Sequence, residues 1–320
     1  MVKCEKNFVV PTNKWLTIIK QLIDEYGEDH FNKPTSFVYD SDFIDKEARK
    51  ERVIVKVSNT NNIKKSIELL YRKIEESPYI AKIYCFLECP ESKKYFKTKY
   101  DNVYGFCNAE KDGSKIVISL EVMKRYESSL RKFEETLNIN TMMYFLRYLL
   151  LIQLELYTKY DFVHNDIHLG NILTTNLKKQ NKRKTFTFLF ENKGFDITTE
   201  ILLVLTDLED ALILDNETKK NLLDKKTSLY PYTLEKNIYN TFECAIKLIK
   251  DEKERYKLNM IFEDLEDANI KEREKLEKSF IDFCSGKIRS KEYKPKVIDW
   301  VEKRIKYMFK KLLNTEFIIQ

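Results

Sequence analysis

The sequence predicts an α+β fold in which a small β-rich N-terminal region is followed by a larger, mainly helical C-terminal region. Runs rich in β-branched and aromatic residues lie in the N-terminal part of the chain, at 53–57, 79–87 and 115–122. Apolar residues at helical spacing dominate the remainder. A chain of 320 residues is long enough for two lobes, and we expect them at residues 1–123 and 124–320.

The predicted N-terminal lobe starts with a helical extension, because apolar residues recur at helical spacing within residues 7–33. The strand at 53–57 carries Lys56 between apolar neighbours, where a buried ammonium group needs a partner. A helix is expected at 63–76. In the second lobe, residues 124–137 are expected to form a crossing linker and a first helix.

Residues 164–171, which read His-Asn-Asp-Ile-His-Leu-Gly-Asn, are the most informative segment. They follow a predicted helix at 141–160 and precede a strand that begins at Ile172. The spacing H-x-D-x-x-x-x-N puts a carboxylate, Asp166, and an amide, Asn171, on one short loop. This arrangement is typical of loops that catalyse phosphoryl transfer.

Several segments together resemble the protein-kinase family in content and order. Val-Ile-Val-Lys, which ends at Lys56, resembles the V-A-I-K strand, and Asp207-Leu208-Glu209 resembles the D-F-G element. The resemblance implies a two-lobed protein-kinase-like fold with ATP and Mg²⁺ as cofactors.

The resemblance also implies roles for residues of the N-terminal lobe. Lys56 is expected to contact the nucleotide phosphates and to pair with Glu68 of the predicted helix. The segment 116–123 resembles the strand and hinge that hold adenine through backbone groups. Glu121 and Met123 are therefore expected at the nucleotide.

In the C-terminal lobe, the resemblance implies that Asp166 is the catalytic base and that Asn171 and Asp207 bind magnesium. The loop variant D-I-H-L-G-N is similar to those of haspin-like kinases, of aminoglycoside and choline kinases, and of kinases of large cytoplasmic DNA viruses. His168 stands where typical protein kinases have lysine, which implies a catalytic role in positioning the phosphate or the acceptor. The alternative is a structural hydrogen bond within the loop. An expanded hairpin at 174–203 resembles that of poxvirus-type serine/threonine kinases.

The chain also departs from the kinase pattern in a missing loop and at three positions. No glycine lies between Pro34 and Lys56, where a glycine-rich loop usually covers the phosphates. Glu209 replaces the glycine of D-F-G, and we expect its side chain to face solvent. Asn237 stands where an aspartate usually anchors the catalytic loop. Asn165 replaces the arginine that receives a phosphorylated activation loop, so control by that route is not expected.

Composition and charge exclude other classes of protein. The net charge of +6 is spread along the chain and carries no nucleic-acid signature. The six cysteines show no paired framework, and we expect them to be reduced, as in a cytoplasmic protein. The longest apolar run, residues 142–156, is shorter than the roughly 20 residues that a membrane-spanning helix needs. We therefore expect a cytoplasmic location, which is the cytoplasm of the host if the chain is viral.

Three functions remain open from the sequence. The first is an ATP-dependent Ser/Thr protein kinase, whose partners are ATP and a protein substrate. The second is a small-molecule kinase of the aminoglycoside or choline type, which the D-I-H-L-G-N run and the lack of an A-P-E element favour. The third is a pseudokinase that acts as a binding scaffold. The missing glycine-rich loop favours the scaffold, whereas four intact positions disfavour it: Lys56, Asp166, Asn171 and Asp207.

Overall fold

A computed structural model divides the chain into two compact units. The first comprises Met1–Glu75 and Ala81–Arg125, and the second comprises Glu76–Ile80 and Tyr126–Gln320. The structure describes residues 3–4, 12–26, 36–44, 50–59, 63–88, 110–111, 114–115, 118–133, 138–177, 182–190, 193–224, 234–267 and 270–312. The first unit is β-rich and the second is mainly helical, which confirms the predicted α+β class.

The first unit contains a five-stranded antiparallel sheet. Its strands are β1 (Lys3–Cys4), β2 (Ser36–Ile44), β3 (Lys50–Asn59), β4 (Ile83–Glu88) and β7 (Ile118–Lys124), in the spatial order β1-β4-β7-β3-β2. Two short strands, β5 (Glu110–Lys111) and β6 (Ser114–Lys115), pair with each other. Side chains alternate between the two faces of a strand. Val53, Val55 and Val57 therefore share one face of β3, where all three are buried, and Lys56 lies on the other face.

Two helices of the first unit bury one stripe each. Helix α1 spans Thr12–Tyr26 and helix α2 spans Ile63–Ile74. In α2 the buried residues Ile67, Tyr71 and Ile74 recur at the spacing of one helical face. The Tyr71 ring meets Phe86 of β4 edge to face, with 5.8 Å between the ring centroids. Helix α2 therefore packs on the sheet at β4.

One cysteine of the sheet contradicts the expectation of reduced thiols throughout. Cys85 of β4 is disulfide-bonded, whereas Cys244 and Cys284 are free. The pairing of β1 with β4 places the backbone of Cys4 opposite that of Cys85. Strand pairing of distant segments thus brings cysteines together in a way that their scattered positions in the sequence do not reveal.

The second unit is built around helix α3 (Ile139–Tyr160). Every residue from 142 to 157 except Arg147 is buried, because other elements cover the helix on all sides. The helix ends at Asp161, which adopts the left-handed conformation with φ 54° and donates its N–H to the last turn. The predicted helix at 141–160 is therefore present with nearly the same bounds.

Short strands before and after α3 frame the predicted catalytic loop. Strand β8 (Ser128–Ser129), strand β10 (Ile172–Asn176) and strand β13 (Ile201–Leu205) form one sheet with β10 in the middle. Strand β9 (Phe162–Val163) pairs with β14 (Leu212–Ile213). No α-helix occurs in residues 124–133, the described part of the segment where we expected the first helix. Ser128 and Ser129 pair with β10 there, and a 3₁₀ turn follows at Leu130–Phe133.

The expected expanded hairpin forms from strands β11 (Lys184–Phe190) and β12 (Lys193–Thr199). Its inner face carries aromatic rings into the core of the second unit. Phe188 stacks on Tyr79 with 5.3 Å between the centroids, and Phe186 stacks on Tyr148 at 5.9 Å. Leu189, on the opposite face, is 67% exposed. The hairpin is thus docked through alternate residues.

The segment Glu76–Ile80 belongs to the second unit although residues of the first unit flank it on both sides. Leu205 donates its backbone N–H to the carbonyl of Tyr79 at 2.8 Å, and Ile80 forms a parallel bridge with Leu205. Tyr79 is buried in the aromatic cluster of the hairpin. These contacts make the segment part of the core of the second unit.

The remaining helices complete the second unit. They are α4 (Asn216–Asp224), α5 (Leu234–Leu248), α6 (Glu252–Asp267), α7 (Ile270–Cys284) and α8 (Ser290–Leu312). Helices α5 and α8 both pack against α3. Val297, Trp300 and Val301 of α8 are buried. In the described parts of the chain, no helix combines the length and apolarity needed to cross a bilayer.

Candidate active site

The predicted catalytic loop is held between α3 and β10, with residues 206–211 beside it. The β9–β14 pairing closes one end, because Val163 lies opposite Leu212. The β10–β13 pairing closes the other end, because Ile172 lies opposite Leu205. Both pairings bring residues 164–171 next to the segment that contains Asp207.

His164 braces these two segments. Its side chain is 2% exposed, and its Nε2 lies 2.8 Å from the carbonyl oxygen of Thr206. A carbonyl only accepts, so Nε2 carries the proton. Burial holds the pKa of His164 below its ordinary value, although the contact with the Thr206 carbonyl acts in the opposite direction. His164 is therefore a neutral residue that holds the two segments together.

Asn165 anchors the loop to helix α5. It adopts the left-handed conformation with φ 64°, which asparagine tolerates better than most residues. Its backbone N–H donates to Oδ1 of Asn237 at 2.8 Å, and its side-chain amide donates to the carbonyl of Asp210 at 3.1 Å. Asn237 is 1% exposed. Its amide oxygen provides the acceptor that an aspartate provides in the family pattern, so this departure leaves the anchor intact.

Asp166 and Asn171 are joined directly. The Nδ2 group of Asn171 donates to Oδ2 of Asp166 at 2.9 Å and to the Asp166 carbonyl at 3.1 Å. Both amide protons are thereby engaged, and the Asn171 oxygen Oδ1 is left as the acceptor that can bind a cation. Asn171 is 5% exposed, whereas the Asp166 side chain is 45% exposed. The loop thus presents a carboxylate from a buried support.

Asp207 lies beside this pair. Thr206 donates its backbone N–H to the carbonyl of Asn171 at 3.0 Å. Asp207 is the next residue after Thr206, so this hydrogen bond keeps it close to Asn171. Asp207 adopts a left-handed conformation with φ 61°, a region where non-glycine residues often mark functional sites. Leu208 is buried, as expected for the packing residue of a D-F-G-like element. Glu209, expected to face solvent, is half-buried.

His168 and Gly170 form a coupled pair next to the carboxylate. The Gly170 N–H donates to Nδ1 of His168 at 3.0 Å. Because Nδ1 accepts, the proton of the neutral ring lies on Nε2, and Nε2 is 3.6 Å from Oδ2 of Asp166. A Cβ atom at Gly170 would lie 2.9 Å from Cε1 of His168. Glycine is therefore required for this ring position, and both functions expected for His168 are compatible with the geometry.

The other predicted site residues lie in the first unit. Lys56 of β3 is opposite Glu121 of β7, and Ile54 is opposite Met123. Lys56, Glu121 and Met123 are all buried, with exposures of 6%, 7% and 8%. Residues directly opposite in antiparallel strands share a face, so all of them lie on the Lys56 face. Strand β7 is paired on both sides, so its backbone groups are used within the sheet. Glu121 and Met123 therefore contribute their side chains to this face.

Glu68 lies on helix α2 near the same sheet. Its Oε1 accepts from Arg72 twice, from Nη2 at 3.0 Å and from Nε at 3.1 Å. The side chain of Glu68 is 12% exposed and that of Arg72 is 52% exposed. Glu68 is thus bound within its own helix by a bidentate guanidinium contact.

Two further points concern phosphate and metal. The phosphate-covering loop is expected between Pro34 and Lys56; residues 34–35 and 45–49 of this segment lie outside the described residues, and the others belong to β2 and β3. In the described part, no group of three or more His, Cys, Asp or Glu side chains is arranged to hold a metal. Asn171 and Asp207 are two oxygen donors, which fits magnesium, since that ion is usually held by one or two protein carboxylates together with phosphates and water.

The sequence interpretation overlooked two features of these sites. One is the position of Glu121 directly opposite Lys56, which strand register determines. The other is the steric link between His168 and Gly170; the only signal for it in the sequence is the occurrence of both residues two positions apart.

Comparison with known proteins gives a likeness in structure and none in sequence. No protein-family model matches the chain, and no curated protein matches it in sequence. Among solved structures, the chain is similar to the kinase PK-1 of the Cydia pomonella granulovirus, with a TM-score of 0.33 and 16% sequence identity. The match covers 62% of this chain and 57% of the viral kinase chain, so it spans little more than half of that protein.

Proposed function

We propose that the chain is an ATP-dependent phosphotransferase, and specifically a protein kinase that transfers the γ-phosphate to a serine or threonine hydroxyl. The observation that carries this proposal is the braced loop of the second unit. There Asp166 is hydrogen-bonded to Asn171, and Asp207 follows the residue paired with Asn171. Phosphoryl transfer depends mainly on such positioning and on charge neutralisation.

Asp166 serves as the base in this proposal. Its Oδ2 is occupied by Asn171, which fixes the orientation of the carboxylate. Its exposure of 45% lets a hydroxyl reach the remaining oxygen. His168 is also half-exposed and directs its Nε2–H toward the same carboxylate. An open carboxylate with an adjacent donor suits the hydroxyl of a large acceptor such as a polypeptide.

Asn171 and Asp207 serve as the magnesium ligands. Magnesium, when bound, supplies positive charge that neutralises the phosphates. The protein holds Asn171 in place through its two donated hydrogen bonds and through the Thr206 contact to its carbonyl. His164 holds the neighbouring Thr206, which orients Asp207.

The first unit supplies the nucleotide-binding surface in this proposal. Lys56 is the phosphate contact in this proposal, because its positive charge is held on the face of the sheet and is largely removed from bulk solvent. Ile54 and Met123 lie on the same face and offer apolar side chains to a base. Val38 of β2 lies opposite Lys56 and is 67% exposed, which adds apolar surface next to the lysine.

Phosphate transfer from labelled ATP tests the proposal. The protein is incubated with ATP, magnesium and general protein acceptors such as casein, and wild type is compared with Asp166→Asn. Asparagine can still accept from Asn171, so we expect nucleotide binding to persist and turnover to fall by about 10² or more. Equal turnover in the two proteins contradicts the assignment of Asp166. Transfer to choline or an aminoglycoside instead of protein supports the small-molecule kinase, and failure to bind ATP supports the scaffold.

A further inference from the structure

We propose that Glu121 is a positioning residue that holds Lys56 by an ion pair built across strands β3 and β7. The strand register places the two residues directly opposite each other. Directly opposite residues on one face have Cβ atoms about 4.5–5.5 Å apart, which is within the reach of a lysine and a glutamate. The pairing is therefore a property of the sheet itself.

Burial supports an ion pair at this position. Lys56 is 6% exposed and Glu121 is 7% exposed, so both side chains are removed from water. A charge withdrawn from solvent needs an opposite charge or strong hydrogen bonds in compensation. The same row of the sheet continues with Phe86 on one side and Val38 on the other, and neither can neutralise a charge. Beyond Phe86 the row ends at Lys3 of β1. Glu121 is thus the acidic member of the row, and it lies directly opposite Lys56.

The family resemblance assigns the role of lysine partner to Glu68 instead. That carboxylate receives two hydrogen bonds from Arg72 on its own helix. Part of its charge is therefore already compensated within α2. A Lys56–Glu121 pair differs in kind, because both residues are fixed by strand pairing and neither depends on where a helix lies.

This inference rests on the proposed function only for its catalytic consequence. If Lys56 contacts phosphate, then the sheet alone orients the lysine, and movement of helix α2 does not switch the site on or off. The ion pair itself is testable without any nucleotide.

The first experiment measures the ion pair by urea unfolding of the full chain without nucleotide. Lys56→Met and Glu121→Leu each leave one buried charge without its partner, so each variant should lower the unfolding midpoint by about 1 M or more. The double variant removes both charges with little change of volume and should recover most of the loss. Lys56→Met combined with Glu68→Leu is the matched control and should show no recovery. A Lys56/Glu121 double variant that loses the sum of the two effects, or that fails to fold, overturns the pair.

The second experiment measures the affinity for a non-hydrolysable ATP analogue. Glu121→Gln should weaken binding about tenfold, a change of about 1.4 kcal/mol, and Glu121→Asp should restore part of the affinity because it retains the charge. Glu68→Gln should have a smaller effect than Glu121→Gln. A loss for Glu68→Gln that equals or exceeds it overturns the positioning role. If wild type binds no nucleotide, the proposed function fails, whereas the unfolding measurements still decide the ion pair.

Discussion

Replacing Gly170 with alanine tests the coupling between this residue and His168. The added Cβ would lie 2.9 Å from Cε1 of the ring, closer than real Cβ atoms approach other atoms, and 3.1 Å from Nδ1, which is tighter than most Cβ contacts. The backbone at Gly170 does not need a positive φ, so alanine is acceptable there in conformation. The ring of His168 must therefore turn away, and the Gly170 N–H loses its acceptor at 3.0 Å.

The size of the effect follows from two opposing contributions. Loss of the hydrogen bond costs about 0.5–1.5 kcal/mol. Replacing glycine at a compatible position stabilises by about 0.4–1 kcal/mol, because the unfolded chain becomes less flexible. We therefore expect Gly170→Ala to change the free energy of unfolding little in wild type. In a His168→Ala background only the favourable contribution remains, so the same change should stabilise by about 0.4–1 kcal/mol.

Urea unfolding of wild type, the two single variants and the double variant gives the coupling energy directly. We expect a coupling of about 1 kcal/mol. The reasoning is refuted if Gly170→Ala has the same effect with and without the His168 ring. Turnover of the same four proteins also distinguishes the catalytic role of His168 from the structural one. If the ring positions the phosphate or the acceptor, Gly170→Ala and His168→Ala each lower turnover, and the double variant is no worse than His168→Ala alone.

Three further predictions concern the surroundings of the loop. Asn237→Ala leaves the partly buried N–H of Asn165 without its acceptor and should cost about 0.5–1.5 kcal/mol in urea unfolding, whereas Asn237→Asp keeps an acceptor and should cost less. Burial depresses the pKa of His164, so as the pH falls the unfolded chain binds a proton that the native state excludes. The free energy of unfolding should therefore fall as the pH drops below about 6.5. His164→Gln should remove this part of the pH dependence. Phe188→Ala removes a fully buried ring and should lower the free energy of unfolding by about 3–5 kcal/mol. Leu189→Ala, at an exposed neighbouring position, should change it by no more than about 0.5 kcal/mol. Similar losses for both variants contradict the docked hairpin.

The parts of the fold that sequence reasoning predicted depend on local patterns. The helix at 141–160, the loop and the strand that starts at Ile172 are encoded by neighbouring residues, and the structure has all three. The hairpin expected at 174–203 follows from the length of chain between Asn171 and Asp207 and from the strand-like residues 185–190, and strands β11 and β12 lie within it. The helix expected within 124–137 failed in its described part, because pairing of Ser128 and Ser129 with the distant strand β10 overrides local preference there.

The parts that sequence reasoning could not provide depend on register and on close approach. The residue opposite Lys56 is determined by which strand neighbours β3 and by its alignment, and a slip of one position would turn Glu121 to the other face. The position of the Cys4 backbone opposite that of Cys85 depends in the same way on pairing between distant segments. For Gly170, the motif shows the residue, but the reason for it is a distance between two side-chain positions.

The placement of residues 76–80 in the second unit has a consequence for dividing the chain. A fragment that begins at Tyr126 lacks Tyr79, and so it loses the ring stacked on Phe188 and the carbonyl that receives the Leu205 N–H. The larger unit is therefore not a contiguous stretch that can be cut out, transplanted or exchanged by recombination as one piece. The two units must therefore be inherited together, because any crossover between residues 80 and 126 separates residues 76–80 from the rest of the larger unit.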